Sequence, residues 1–363
     1  MPTMTPRERV LAALRREEPD QVPWAEAGID EGLQVKIMGT AEFEPADMCR
    51  KLGLDAFGGS YLKSPITWQD AKATGDFAGY YYPDQITFDF VPPWIAEIGL
   101  AEESGRKFVK KGLLTSREAL GLFDQYLPDP DHPARYEIVN QWIKQYRGEY
   151  AVFARIRLGA ASTLESMGLD VFSLMMYDDP DFVHEVHGRF SEWSARVIRN
   201  LNDMDFDFFW AADDVAGNSG PFMSPKVFRE FLLPHMKVAA EAIRKPWIYH
   251  SDGNLFPVLP DLLTLGMNAI HPIQPAAMDI GKAKREYGDR VAIVGNIDLD
   301  YTLTRGEPEE VEEEVKERIR VAGPGGGYII SSANSLADYC KIENVWAMAS
   351  AVKRYGKYPL QLD

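Results

Sequence analysis

The stretch "HSDG", residues 250–253, sets an imidazole and a carboxylate two residues apart, immediately after the apolar run Trp247–Tyr249. His250 and Asp252 are a pair that can ligate zinc or another divalent metal once a third ligand comes from elsewhere. The same pair can hold or move a proton on a substrate with no metal at all. Other apolar runs end in the same way. Glu26 follows "QVPWA", Asp213 and Asp214 follow "FDFFWAA", and His271 ends "MNAI". Asn296 and Asp298 follow "RVAIVG", and Ser332 and Asn334 follow "GGYII". Each has a structural role open to it: Asp213 can cap a turn, Asp252-Gly253 is a common turn pair, and Asn296 and Asp298 can cap. Taken together, polar residues at the ends of most strands on one face are hard to explain by capping alone. Asp213 and Asp214 are successive, so on an extended chain only one of them faces a substrate. Two neighbouring carboxylates in a partly desolvated pocket oppose joint ionisation, which leaves one able to donate a proton. The structural alternative pairs one of them with a base such as Arg229. His184 and His187, three apart on a helical pattern, read as packing or surface residues.

Those residues need a frame that gathers strand ends. Eight short apolar runs alternate with helical stripes: "QVPWAE", "LGLDAFGG", "YAVFARI", "DFDFFWAADD", "KPWIYHSDG", "MNAIHPI", "RVAIVGNID" and "GGYIISSANS". Alternation of this kind implies a parallel sheet covered on both faces. Eight such units predict an α/β chain folded as a (β/α)8 TIM barrel, whose strand C-termini carry the chemistry. The helices include Thr5-capped "PRERVLAAL", a stripe of Phe182, Val186, Phe190, Trp193 and Val197, and a helix from Pro308 with Val311, Val315 and Ile319 on one face. Residues 61–150 break the rhythm after the second strand. They read as partly an insertion, with "DQITFDFVPPW" and "GRKFVKKGLL" as antiparallel strands, in a single barrel domain spanning 1–363. "GPGGGYI" precedes a strand and reads as a flexible turn, and no G-x-G-x-x-G follows the first strand, which weakens a dinucleotide-binding version.

Composition narrows the classes. The chain has 363 residues, a formal net charge of −16 and only two cysteines, Cys49 and Cys340. The acidic surface disfavours nucleic acid and anionic lipid as partners. Two cysteines make neither a disulfide framework nor a thiolate-rich zinc site. With no secretory pattern at the start and no run of membrane-spanning length, a reduced, cytoplasmic protein is expected.

The motifs together resemble the uroporphyrinogen decarboxylase superfamily, in its branch of corrinoid-linked methyltransferases. The matching stretches are "TPRERVLAALRREEPDQVPW", "DDVAGNSGPFMSPKVFREFLLPHMK", "HSDGN", "NAIHPIQP", "VGNIDLDYTL" with "PEEVEEEVKE", and "GPGGGYIISSANSL" with "ENVWAM". They run over nearly the whole chain and are weakest around 61–150. Two departures matter. The tetrapyrrole decarboxylases grip substrate propionates with an arginine-rich loop after the first strand, whereas here "WAEAGIDEG" carries acids and no arginine. A many-carboxylate substrate is electrostatically wrong there. The thiol-directed methyltransferases hold zinc with a His-x-Cys pair and a later cysteine. Here Asp252 stands where the first cysteine would be, "SSAN" falls near the second, and Cys340 comes too late.

The resemblance therefore implies a methyltransferase that takes a methyl group from a methoxylated, aromatic compound and passes it to the cobalt of a separate corrinoid protein. Asp213, Asp214, His250 and Asp252 are the expected catalytic residues, with His250 and Asp252 as ligands for weakly bound zinc. Trp24, Glu26, Trp210, His271, Asn296, Asp298, Ser332 and Asn334 are the expected substrate contacts, Trp24 and Trp210 as walls of an aryl pocket. Phe209 reads as barrel core. The alternatives are a decarboxylase of an aromatic or pyrrolic acid and a non-catalytic binding module. The methyl donor and the oligomeric state, a homodimer included, stay open.

Overall fold

The computed structural model describes residues 3–59, 90–100, 107–133 and 136–361. Its strands are β1 (Ala56–Gly58), β2 (Ala96–Leu100), β3 (Lys107–Gly112), β4 (Ala151–Ile156), β5 (Phe208–Ala212), β6 (Ala216–Gly217), β7 (Gly220–Pro221), β8 (Trp247–His250), β9 (Ala269–His271), β10 (Ala292–Val294) and β11 (Tyr328–Ile329). Seven of them form one curled parallel sheet in the order β1-β4-β5-β8-β9-β10-β11. The chain at Trp24 closes it. Trp24 bridges Ile330 in parallel, Ile330 N donates to Pro23 O, and Asp55 N, just before β1, donates to Trp24 O. These are the eight positions of a (β/α)8 barrel, as the alternation of runs predicts.

The first position is the irregular one. "QVPWAE" forms a single bridge instead of a regular strand. Pro23 has no N–H to give, and Trp24 N donates to the Asp55 carboxylate at 2.9 Å instead of to a neighbouring strand. The inward and outward faces of the other strands are almost wholly buried, so their sequences read as continuous apolar runs. Buried apolar residues form one cluster from Val10 to Val352.

The helices follow their local signals. Pro6–Leu14 starts with a capping box between Thr5 and Glu8. Pro180–Leu201 is capped by Asp179 and buries the Phe182, Val186, Phe190, Trp193 and Val197 stripe. Pro308–Ala322 begins with acids in its first turn and buries Val311, Val315 and Ile319. Among the described residues no helix is long and apolar enough to cross a membrane.

After β1 the rhythm does break. β2 and β3 pair as an antiparallel hairpin, followed by the short helices Leu122–Tyr126 and Glu137–Ile143. "GRKFVKKGLL" supplies β3 as expected. Its partner is not "DQITFDFVPPW": residues 84–89 of that run lie outside the described residues, and Phe90–Ile95 is not strand. The pairing strand comes later, where Pro92 and Pro93 no longer interrupt the ladder. The hairpin lies on the end of helix Ala160–Met167. Ile95 N donates to Ser166 Oγ and Leu114 N to Ser166 O. A Cβ on Gly112 would sit 2.4 Å from Ser166 O, so only glycine allows this approach.

Candidate active site at the barrel mouth

The parallel register brings the strand ends level. Ala212 at the end of β5 pairs with His250 at the end of β8, and His250 pairs with His271 at the end of β9. The residues just beyond therefore share one face of the barrel.

Asp213 and Asp214 separate as alternation requires. Asp213 is fully buried. Its carboxylate accepts N–H groups from Leu158 (3.0 Å), Ala160 (3.2 Å) and Ala161 (2.5 Å), and so holds the start of helix Ala160–Met167 against β5. Burial pushes its carboxyl up to about 6, opposed by those three donors and by Arg157. Arg229 pairs with neither aspartate. It lies 2.9 Å from Asp261 on the outside.

Asp214 turns the other way, with a half-exposed side chain. Its Oδ1 accepts Asp252 N at 3.0 Å and lies 3.6 Å from His250 Nε2. His250 Nε2 is 4.0 Å from Asp252 Oδ1. Both separations from Nε2 are too long for hydrogen bonds. Asp252 Oδ2 accepts Asn334 Nδ2 at 2.7 Å, while its Oδ1 is buried with no hydrogen-bond partner. Burial raises the Asp252 carboxyl above its ordinary value; His250 opposes this and Asp214 adds to it. The loop that carries Asp252 needs Gly253. That residue has φ +83°, and a Cβ there would meet Gly217 O at 2.4 Å.

Asp214, His250 and Asp252 each offer a ligand atom, all within 4.8 Å of one another. One nitrogen and two oxygens, with an orphaned carboxylate oxygen among them, fit a divalent cation. Asp214 offers the third ligand atom that the sequence left unassigned beside His250 and Asp252. Asn334 sits behind Asp252 and orients it, as outer-shell groups do at metal sites.

The other expected residues divide. His271 is buried, with Nδ1 2.6 Å from His250 Nδ1, and Trp210 packs edge-on against its ring. Trp210 Nε1 and Asn296 Oδ1 are buried without hydrogen-bond partners, and Asn296 Nδ2 donates to Ile273 O. Glu26 is fully buried. It accepts Trp24 Nε1 at 2.6 Å, Ser332 N at 2.9 Å and Ser332 Oγ at 2.6 Å. These bonds tie the first barrel position to the last. Burial still raises Glu26 to about 7 against all of those donors. Asp298 caps a turn, accepting Tyr301 N at 2.7 Å and Thr302 N at 3.2 Å. Trp24, Glu26 and Asp298 thus meet partners of the fold itself. None of them lines the cavity next to Asp214.

That cavity has a volume of about 520 Å³ and is lined by Leu164, Met167, Leu169, Val171 and Phe222 together with the charged Lys110, Lys111, Glu165 and Asp170, with β3 along one side. Asp214 connects it to the His250 cluster. Arg157, one residue beyond β4, was not singled out by sequence, although the strand-end rule points to it in "VFARIRLG". Its guanidinium is buried beside Glu165, 5.9 Å from the Trp94 ring, with Nε lacking a partner. Phe222 gave no signal, because it reaches the cavity from the β6–β7 hairpin and not from a barrel strand.

Known proteins match this chain in sequence and in shape. A methylcobamide:CoM methyltransferase MtaA from Methanosarcina barkeri is 28% identical over 149 residues, 41% of this chain and 42% of that protein. A uroporphyrinogen decarboxylase from Coxiella burnetii is 26% identical over 190 residues, half of each chain. The chain spans about half the length of the curated relatives it matches. The solved structure of a methyltransferase from Methanosarcina mazei superposes with a TM-score of 0.69 over 97% of this chain and 99% of that one, at 20% identity, which fixes the shared fold. The family model for uroporphyrinogen decarboxylase matches residues 127–355. That match covers more than half of the chain and every strand end from β4 to β11, and so the chain belongs to the uroporphyrinogen decarboxylase family.

Proposed function

We propose that the chain is the methyltransferase of a corrinoid-dependent O-demethylase, moving a methyl group from a methoxylated aromatic compound to the cobalt of a corrinoid held by a partner protein. The observation that carries this reading is the Asp214–His250–Asp252 cluster, whose Asp214 also lines a largely apolar cavity. The phenolate of an aryl methyl ether is a poor leaving group unless its oxygen is bound to a cation or protonated. Reduced cobalt, Co(I), gives its electron pair to the methyl carbon, and the methyl–oxygen bond breaks with its pair on oxygen. The oxygen must then receive a cation or a proton.

The three residues supply either. Asp214, His250 and Asp252 would hold a divalent cation, which would supply Lewis-acid activation of the ether oxygen. Without one, burial raises the Asp252 carboxyl above its ordinary value, the direction a general acid at that oxygen requires. Asn334 aims the Asp252 carboxylate, and Asp213 fixes the loop that precedes helix Ala160–Met167. Leu164, Met167 and Phe222 give the ring an apolar wall. Pockets of 300–1,000 Å³ are usual for small organic ligands, so one methoxylated ring fits. Trp210, His271, Asn296 and Ser332 are buried and do not line that cavity; His271 reaches the site through His250.

A visible spectrum tests the reading. The chain, mixed with reduced corrinoid protein and a panel of methoxylated aromatics, is expected to convert Co(I) to methyl-Co(III) with at least one of them. Carbon dioxide released from an aromatic or pyrrolic acid would replace the reading with decarboxylation. Binding without turnover of either kind would reduce the chain to a binding module.

A further inference from the structure

We infer that Gln274 is a positioning residue of the cation site: its side-chain oxygen pins the loop that carries Asp252, and so sets where the Asp252 carboxylate stands. The inference rests on reading the Asp214–His250–Asp252 cluster as a cation site. The loop after β8 is held by four successive backbone N–H groups, each on a different partner. Ser251 N donates to His271 O at 3.2 Å and Asn254 N to Gly217 O at 2.9 Å. Between them, Asp252 N donates to Asp214 Oδ1 at 3.0 Å and Gly253 N to Gln274 Oε1 at 2.8 Å. Two of these acceptors are backbone carbonyls of the fold. Asp214 is itself a candidate ligand, so a cation draws on the same carboxylate. Gln274 is therefore the one anchor of the four that is a side chain outside the cluster.

Gln274 reaches back toward β8 because the chain turns sharply after β9. Ile273 has φ +57°, a left-handed conformation that a β-branched residue keeps only under restraint. The restraint is visible. Ile273 is buried, and Asn296 Nδ2, beyond β10, donates to its carbonyl. The Gln274 carbonyl accepts Ala277 N at 2.9 Å and Met278 N at 2.8 Å, which closes the turn on the other side. The backbone on both sides of Gln274 is thus fixed before its side chain meets Gly253. Strand ends β10, β9 and β8 are linked in sequence by side-chain bonds, and the last link lands one residue from Asp252.

The consequence for the cluster is geometric. Asp252 keeps Oδ1 without a hydrogen-bond partner, 4.0 Å from His250 Nε2, while Asn334 holds Oδ2 at 2.7 Å. Asn334 orients the carboxylate group. Gln274 fixes the backbone from which that side chain springs. A cation needs its ligand atoms within about 0.2 Å of their preferred distances, so a looser loop lowers affinity before it lowers stability.

The test titrates the full chain with zinc alone and reads hydrogen exchange of the Gly253 amide in the metal-free protein. Gln274→Leu removes the acceptor at similar size. The Gly253 amide should then lose its protection, and the zinc dissociation constant should rise about 10-fold, the lower end of the cost of losing an outer partner. Gln274→Glu keeps an acceptor oxygen at the same reach and adds a negative charge. It should keep the amide protected and bind zinc within a few-fold of the native chain or more tightly. Gln274→Ala carries the same expectation as Gln274→Leu and decides if that variant does not fold. An unchanged Gly253 amide in Gln274→Leu overturns the inference, as does zinc affinity that stays native when protection is lost. Equal weakening in Gln274→Leu and Gln274→Glu overturns it too, because a role in stability alone does not follow the acceptor. A native chain that takes up no zinc removes the cation reading and this inference with it, whereas native zinc binding indifferent to Gln274 removes this inference alone. Neither measurement uses a methyl donor or a corrinoid, so methyl transfer is judged separately.

Discussion

Histidines gather twice among the described residues, at the barrel mouth and between two outer helices, and the two clusters differ in what surrounds them. Between helix Pro180–Leu201 and helix Leu233–Ala240, His184 Nδ1 lies 3.0 Å from His235 Nε2 and its ring stacks on Phe231 at 4.9 Å. His187 is fully buried, with Nδ1 3.1 Å from Phe231 O, a carbonyl in the π-helical turn Phe228–Leu232. Aromatic faces and a carbonyl fill that cluster. At the mouth, His250 and His271 are joined by two carboxylates, one with an orphaned oxygen, next to a cavity. Histidine spacing along the chain therefore marks neither cluster as functional. The acids delivered by the strand ends make the difference.

The comparison breaks most severely under acid. His187 is pushed down to about 3 from 6.5, first by burial and then by His235. The unfolded chain binds this proton below pH 6.5 and the folded chain does not. Its contribution is present above pH 6.5 and is lost as pH falls toward 3, with an upper bound on the order of 5 kcal/mol. His187→Leu should cost about 1–3 kcal/mol at pH 7, by orphaning the Phe231 carbonyl. It should also flatten the acid limb between pH 6.5 and 3, as read by denaturant titration across pH. A metal that binds the outer cluster tightly would erase the contrast between the two regions.

Glu26 sharpens the contrast from the opposite side. Raised to about 7 by burial, it holds a proton in the folded chain that the unfolded chain has released above 4.5. Its favourable contribution is present below pH 4.5 and is lost as pH rises through 7, about 3 kcal/mol in all. Glu26→Gln should remove that alkaline-going loss while leaving methyl transfer within a few-fold, because Glu26 braces the barrel seam. A loss of activity with unchanged stability would place Glu26 at the reacting atoms instead.

The smallest effect belongs to Asn334. Its amide aims Asp252 from behind. Asn334→Ala should weaken zinc binding about 10–100-fold, without a matching loss of thermal stability. No change in affinity would mean that Asp252 is not a ligand.

Much of this was legible in sequence. Apolar runs ending in polar residues gave the barrel and brought His250, His271, Asp252 and Asn334 to one mouth. Alternation foretold that Asp213 and Asp214 would part, but not which one would find three backbone N–H groups. That depends on where the β4 loop lies. Asp298 looked like a site residue because it ends a strand, yet its carboxylate meets the next turn first. Trp24 reads as a pocket wall until Glu26 is seen to hold its indole in the seam between the first and last barrel positions. Helices Glu31–Met38 and Pro45–Leu52 were not anticipated, although Gly39 and Gly53 end them in left-handed conformation.

The central claim is that Asp214, with His250 and Asp252, activates the methyl donor while Asp213 holds the fold. Asp214→Asn and Asp213→Asn, compared in the corrinoid spectral assay and in thermal unfolding, test it directly. Asp214→Asn should lose methyl transfer about 10²–10⁴-fold and keep its melting temperature. Asp213→Asn turns an amide N–H toward donors in a buried site and should lower the melting temperature. The reverse pattern, or full activity in Asp214→Asn, would contradict the account.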